Sequence, residues 1–152
     1  MLPEQSHTAL HTVFDLYGNE RLSKWKEIRD SIEVIDQPLE LVADVWARAP
    51  FVNPHLNPKD SKSWPDPWQL VLGGRLDDLA IVLGMLYTLK LTQRFMATPC
   101  EIHMSIPHKN QEPRFYLFVE NKFILNYEPR KVVALDALNT ETEIIWQGHT
   151  LK

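Results

Sequence analysis

Apolar positions change their period once along the chain, and the change separates a helical front from a β-rich back. Over the first third they recur every three or four residues, the spacing of one helix face. Helices are predicted near Gln5–Leu16, Glu20–Ser31 and Leu39–Ala49, joined by segments carrying Gly18–Asn19 and Gln37–Pro38. Trp25, Ile28 and Ile32 form one apolar stripe, and Leu41, Val42, Val45 and Trp46 another. Both read as packing faces.

Five of the 11 prolines (Pro50, Pro54, Pro58, Pro65 and Pro67) then fall between Ala49 and Pro67. Proline removes a backbone donor and pushes the preceding residue toward extended conformations, so a long loop is expected over 51–67. Trp64 and Trp68 make it too aromatic for a plain flexible linker, and it is expected to pack on the domain. Asp66 before Pro67 is a helix start: the carboxylate can cap free amides, and proline is preorganised for the first helical position. That helix should stop at Gly73–Gly74, and a second should begin at Arg75 or Leu76 and run to about Leu91. Its apolar residues, Leu79–Val82 through Leu89, cover most of the circumference, which marks a buried central helix.

Beyond it the period becomes two. Glu101–Ile106, Phe115–Glu120, Lys122–Tyr127, Lys131–Leu135 and Glu143–Gln147 read as strands. A tight hairpin is predicted at Glu120–Asn121–Lys122, with Phe115, Leu117 and Val119 on one face and Tyr116 and Phe118 on the other. The expectation is therefore one α+β domain over 1–152: a helical part (1–50), a Pro-rich ordered loop (51–67), and a helix with an antiparallel sheet (68–152).

Composition agrees with a packed domain, since 44% of the 152 residues are apolar and 24% charged. A net charge of −4 lacks the clustered lysine and arginine of a general polyanion binder, so nucleic acid is not an expected partner. The run Leu79–Leu89 is shorter than the ~20 residues that cross a bilayer, and no membrane partner is expected. The single cysteine, Cys100, cannot form an internal disulfide, and no charged-then-apolar leader is seen. Synthesis in a reducing cytoplasm is the expectation.

Candidate chemistry is sparse. Of the six histidines, only His7 and His11 stand at helical i, i+4 spacing, without the intervening acid of a zinc-protease motif. A solvated face accounts for them, and neither metal nor cofactor is expected. Gly73–Gly74–Arg75 matches no phosphate-binding pattern. Adjacent helical carboxylates point about 100° apart, so Asp77 and Asp78 do not converge on one substrate, and capping and solvation account for them. An enzyme of another class could use Glu101, His103, His108 or Cys100 at the strand ends.

One segment, Trp64–Ala80 (WPDPWQLVLGGRLDDLA), resembles the core of the transglutaminase-like superfamily, including the bacterial transglutaminase-like cysteine proteinases. The family segment reads approximately D-x-W-x-x-P-x-E-x-L-x-x-G-x-G-D-C-E-D-x-A, and Pro67, Leu70 or Val71, Gly73 or Gly74, Asp77, Asp78 and Ala80 fall at comparable places. Phe115–Asn126 (FYLFVENKFILN) is similar to the hairpin that supplies the family's histidine and aspartate. The resemblance implies a transglutaminase or papain-like core. It also puts Leu76 at the cysteine position, Phe115 at about the histidine and Asn126 at about the aspartate.

Leucine and phenylalanine offer neither a nucleophile nor a transferable proton, so the resemblance implies a fold without that chemistry and no catalytic residues. Small proteins of this look, with a WPDPW-type entry to the helix and an eroded triad, resemble transglutaminase-like proteins of tailed bacteriophages. The implied role is a non-catalytic interaction or structural module within a multi-subunit assembly, in a virion neck, tail or baseplate, with other proteins as partners. The alternatives are a soluble regulator or inhibitor of a cellular protein, located in the cytoplasm, and the enzyme at the His103/His108 region. Phe51, His55, Trp64 and Trp68 are the candidate interface residues, because aromatic side chains concentrate at the energetic centres of interfaces.

Overall fold

The computed structural model describes residues 13–51, 54–73 and 76–148. Four helices precede five strands: α1 (Gly18–Ile32), α2 (Pro38–Trp46), α3 (Pro67–Gly73), α4 (Asp78–Lys90), β1 (Cys100–Ser105), β2 (Phe115–Val119), β3 (Phe123–Leu125), β4 (Val132–Ala134) and β5 (Thr142–Gly148). The fold is α+β, as the change of period predicts. The helix expected over Gln5–Leu16 lies mostly outside the described residues; its described end is one 3-10 turn, Val13–Asp15. His7, His11 and the Gly74–Arg75 part of the helix junction also lie outside them.

Local chemistry explains the starts and stops. Asp66 Oδ1 accepts from the Gln69 amide at 2.8 Å while the Asp66 amide donates to Gln69 Oε1 at 3.1 Å, a reciprocal capping box that launches α3 behind Pro67. The central helix starts later than Arg75 or Leu76, because Asp77 is its N-cap: Oδ1 accepts from the Ala80 amide at 2.8 Å. Helix α2 stops at Trp46 rather than at Ala49, its last residues unwinding into a turn before Pro50. At the β2–β3 hairpin, Glu120 and Asn121 both take positive φ (57° and 55°), the mirror-image turn that matches strand twist.

All strand pairs are antiparallel, in the order β4-β3-β2-β1-β5. Phe115, Leu117 and Val119 of β2 join the main core on the helical side. Tyr116 and Phe118 face the other way, into a smaller cluster with Ile124, Val133 and Leu138. Strand β2 is thus buried on both faces. Both edges are poor templates for further pairing: β4 is three residues long, and β5 carries a bulge opposite Ile102/His103 and an ion pair, Lys59 to Glu143 at 3.0 Å.

Helix α4 packs against α1, α2, α3 and β2, and every residue from Leu79 to Lys90 except Tyr87 is buried. Its one interior hydroxyl, on Thr88, accepts from the indoles of Trp25 and Trp46, each at 2.9 Å, and donates to the Gly84 carbonyl at 2.6 Å. Both lone pairs and the proton are used. Gly84 is required one turn earlier, because a Cβ there would lie 2.2 Å from the Trp46 ring. A buried arginine, Arg21, serves the other end of α1 by donating to the carbonyls of Leu16, Val71 and Phe14.

Replacing the hydroxyl with a methyl of similar shape orphans two buried indole donors. Thr88→Val is therefore expected to lower unfolding free energy by roughly 2 to 5 kcal/mol in urea denaturation, with Thr88→Ser much closer to the parent. Equal losses for valine and serine would show that the hydroxyl is not what matters.

Candidate functional site

The N-terminus of α4 is where chain segments distant in sequence converge on paired carboxylates. Asp77 is buried, and beyond its cap its second oxygen accepts from the backbone amides of His55 at 2.8 Å and Leu56 at 2.9 Å. A single carboxylate thus starts the helix and pins the Pro-rich loop beside it. Asp78, one residue on, points elsewhere. Its Oδ2 accepts from the Phe115 amide at 2.9 Å and from Arg114 Nε at 3.2 Å, and its Oδ1 from Asn126 Nδ2 at 3.0 Å.

Asn126 closes this cluster. With φ at 70° it occupies the left-handed region that asparagine tolerates better than most residues, and it ends β3 there. Its side-chain amide donates both to Asp78 and, at 2.9 Å, to the carbonyl of Phe115. Arg114 returns across the same gap to the Asn126 carbonyl at 3.0 Å. The expectation that Asp77 and Asp78 diverge is right, but the expected solvation is not: both carboxylates are spent on tertiary ties.

Around this cluster lie the three positions singled out in sequence. Leu76 is fully buried, immediately before the cap of α4, and forms an isolated parallel bridge with Phe51. Phe115 opens β2 and is buried, and Asn126 touches its backbone. Outside them runs a groove of about 520 Å³ whose walls include Phe51, Pro54, Pro58, Leu79, Pro113 and Phe115. Phe51 is 62% exposed at its edge.

The other interface candidates are distributed. His55 and Trp64 share a neighbouring groove of about 400 Å³, with Leu56 common to both grooves. Trp64 is half-buried, packs with Leu56 against the main core, and donates its indole proton to the Asn57 carbonyl at 2.8 Å. Trp68 lies apart on α3, edge-on to Trp25 at 5.4 Å, with the Arg29 guanidinium over both rings. Sequence reasoning missed Arg114 and Glu112, which border the Phe51 groove; a charged residue on each side of Pro113 was the available signal.

The strand-end residues make a separate arrangement. His103 Nε2 meets Glu101 Oε1 at 2.7 Å, its Nδ1 meets Thr142 Oγ1 at 2.7 Å, and its ring stacks on Phe118 at 3.6 Å. With the carboxylate as acceptor, Nε2 carries a proton toward Glu101, and Nδ1 pairs with the threonine hydroxyl, which can serve either as donor or as acceptor. The Nδ1 contact fastens β5 to β1, and the Nε2 contact stays within β1. His108 is exposed on the turn after β1 and is not part of this cluster. Among the described residues no group of three or more His, Cys, Asp or Glu side chains is placed to hold a metal, and no helix is long and apolar enough to cross a membrane.

Cys100 is buried as the first residue of β1, and desolvation pushes its thiol up to about 11, against the opposing pull of the Lys90 ammonium. At neutral pH it is a protonated, shielded thiol. No protein-family model, curated protein or solved structure matches this chain.

Two measurements follow. Removing the Asp78 carboxylate (Asp78→Ala) leaves the Phe115 amide and Asn126 side chain short of an acceptor, and a loss of roughly 1 to 3 kcal/mol in chemical denaturation is expected. Cys100 should resist iodoacetamide at pH 8 in the native protein and react once urea unfolds it. Rapid native alkylation read by mass spectrometry would contradict the burial that keeps the thiol protonated.

Proposed function

We propose that this chain is a non-catalytic protein-protein interaction or structural module on a degenerate transglutaminase-like fold, working within a bacteriophage virion as part of a neck, tail or baseplate assembly. The single observation that carries the reading is the arrangement at the head of α4. Leu76 precedes the helix cap, and Asp78 joins the helix to both Phe115 and Asn126, so the three positions that the resemblance assigns to cysteine, histidine and aspartate gather at the head of α4, where Phe115 lines the groove. Such a site in an enzyme would need a thiolate and an imidazole in hydrogen-bond reach. Here the corresponding side chains are hydrocarbon, and Asn126 spends its amide on the backbone and Asp78.

What is left at that place is a surface suited to contact. The groove is walled by proline and aromatic side chains, and an aromatic ring as exposed as Phe51 loses its hydration most readily against a partner. The Pro-rich loop that forms one wall is held by Asp77 and by the Trp64 indole, so the surface is preorganised and little ordering would be lost on binding. The virion setting rests on the family resemblance alone.

Quantitative mass spectrometry of purified tailed particles from the source tests this. The chain is expected at a fixed ratio to the major structural proteins, and Phe51→Asp is expected to reduce its incorporation at least severalfold while leaving its thermal melt unchanged. Absence of the chain from particles at every stage of assembly would overturn the virion reading. A one-to-one complex with a host protein would favour a regulator instead.

A further inference from the structure

The charge around the Phe51 groove is unbalanced. Among the described residues, Asp77, Asp78 and Glu112 place three carboxylates on its lining against one guanidinium, Arg114. Arg114 is already committed to Asp78 and to the Asn126 carbonyl. Asp77 accepts from three backbone amides, and the His55 imidazole stands 3.6 Å from its Oδ2, outside the groove lining. Glu112 is exposed and makes no hydrogen bond or ion pair among the described residues. The positive end of the α4 dipole, which would otherwise favour an anion here, is already met by Asp77 at the cap and Asp78 in the first turn.

The walls carry a second bias of the same sign. Pro54, Pro58 and Pro113 have no amide proton, and the Phe115 amide is taken by Asp78, so the lining is rich in acceptors and poor in donors. An occupant matched to it brings apolar side chains for Phe51, Phe115 and the prolines, and brings donors with positive charge for the rim. From this balance we infer that the groove takes an apolar segment of a partner protein that carries lysine or arginine among its aliphatic or aromatic residues. The inference rests on the interaction reading above and adds the chemistry of the partner. Glu112 is the specificity-determining residue, since among the described lining residues it is the charge that meets only solvent, and Phe51 is the apolar anchor.

Fluorescence anisotropy on the full chain tests this with three short labelled peptides of identical leucine and proline content that carry a pair of lysines, glutamines or glutamates. The lysine peptide is expected to bind at least about tenfold more tightly than the glutamate peptide, with the preference shrinking as salt is added. Glu112→Lys is expected to abolish or reverse the ranking, and Phe51→Ser to weaken all three peptides; both positions are exposed, and an unchanged melting temperature verifies the fold. Equal binding of the three peptides, or a ranking indifferent to Glu112→Lys, would overturn the cationic selectivity while leaving a Phe51-dependent contact surface in place. No binding by any peptide would overturn the inference outright, and the composition of the particles would then decide the broader reading independently.

Discussion

One hydroxyl organises the interior. Three helices meet where the Trp25 and Trp46 indoles share Thr88 Oγ1, and each indole would otherwise carry an N–H into a dry core. A buried donor without a partner is more damaging than a hydrogen bond is helpful, so this point tolerates almost no other arrangement of the three helices. Gly84 completes it from one turn away by giving the Trp46 ring room to lie on the helix backbone. Hydrophobic burial alone would let α1 and α2 rotate or slide against α4. The shared hydroxyl sets their depth and rotation.

The head of the same helix is fixed by charge rather than by packing. Asp77 and Asp78 project in different directions, one toward the Pro-rich loop and one toward the β2–β3 hairpin. Consecutive residues on a helix are suited to this, since their divergence lets two neighbouring carboxylates hold two unrelated segments. The groove at the α4 N-terminus owes its shape to these ties, and its residual negative charge is a by-product of them.

Much of the fold was legible because it follows from short-range rules. The period change, the Asp66–Pro67 start, the positive-φ hairpin and the two faces of β2 depend on neighbours within a few residues, and all appear where the pattern puts them. The late start of α4 was not, since Asp77 could equally have sat in the first turn until its cap bond and its hold on His55 and Leu56 are known. The candidate site was legible in part: Leu76, Phe115 and Asn126 were singled out, whereas Thr88, Arg114 and Glu112 were not. These three act through partners dozens of positions away or through lacking any, and neither property leaves a local signature.

The closed edges of the sheet bear on how copies of this chain could be arranged. A three-residue strand bounds one side, and a bulged strand with a charged clasp bounds the other, so backbone pairing from chain to chain is disfavoured on both. An open strand always presents another open strand, and that route of growth, by backbone ladder from copy to copy, is the one these two edges obstruct.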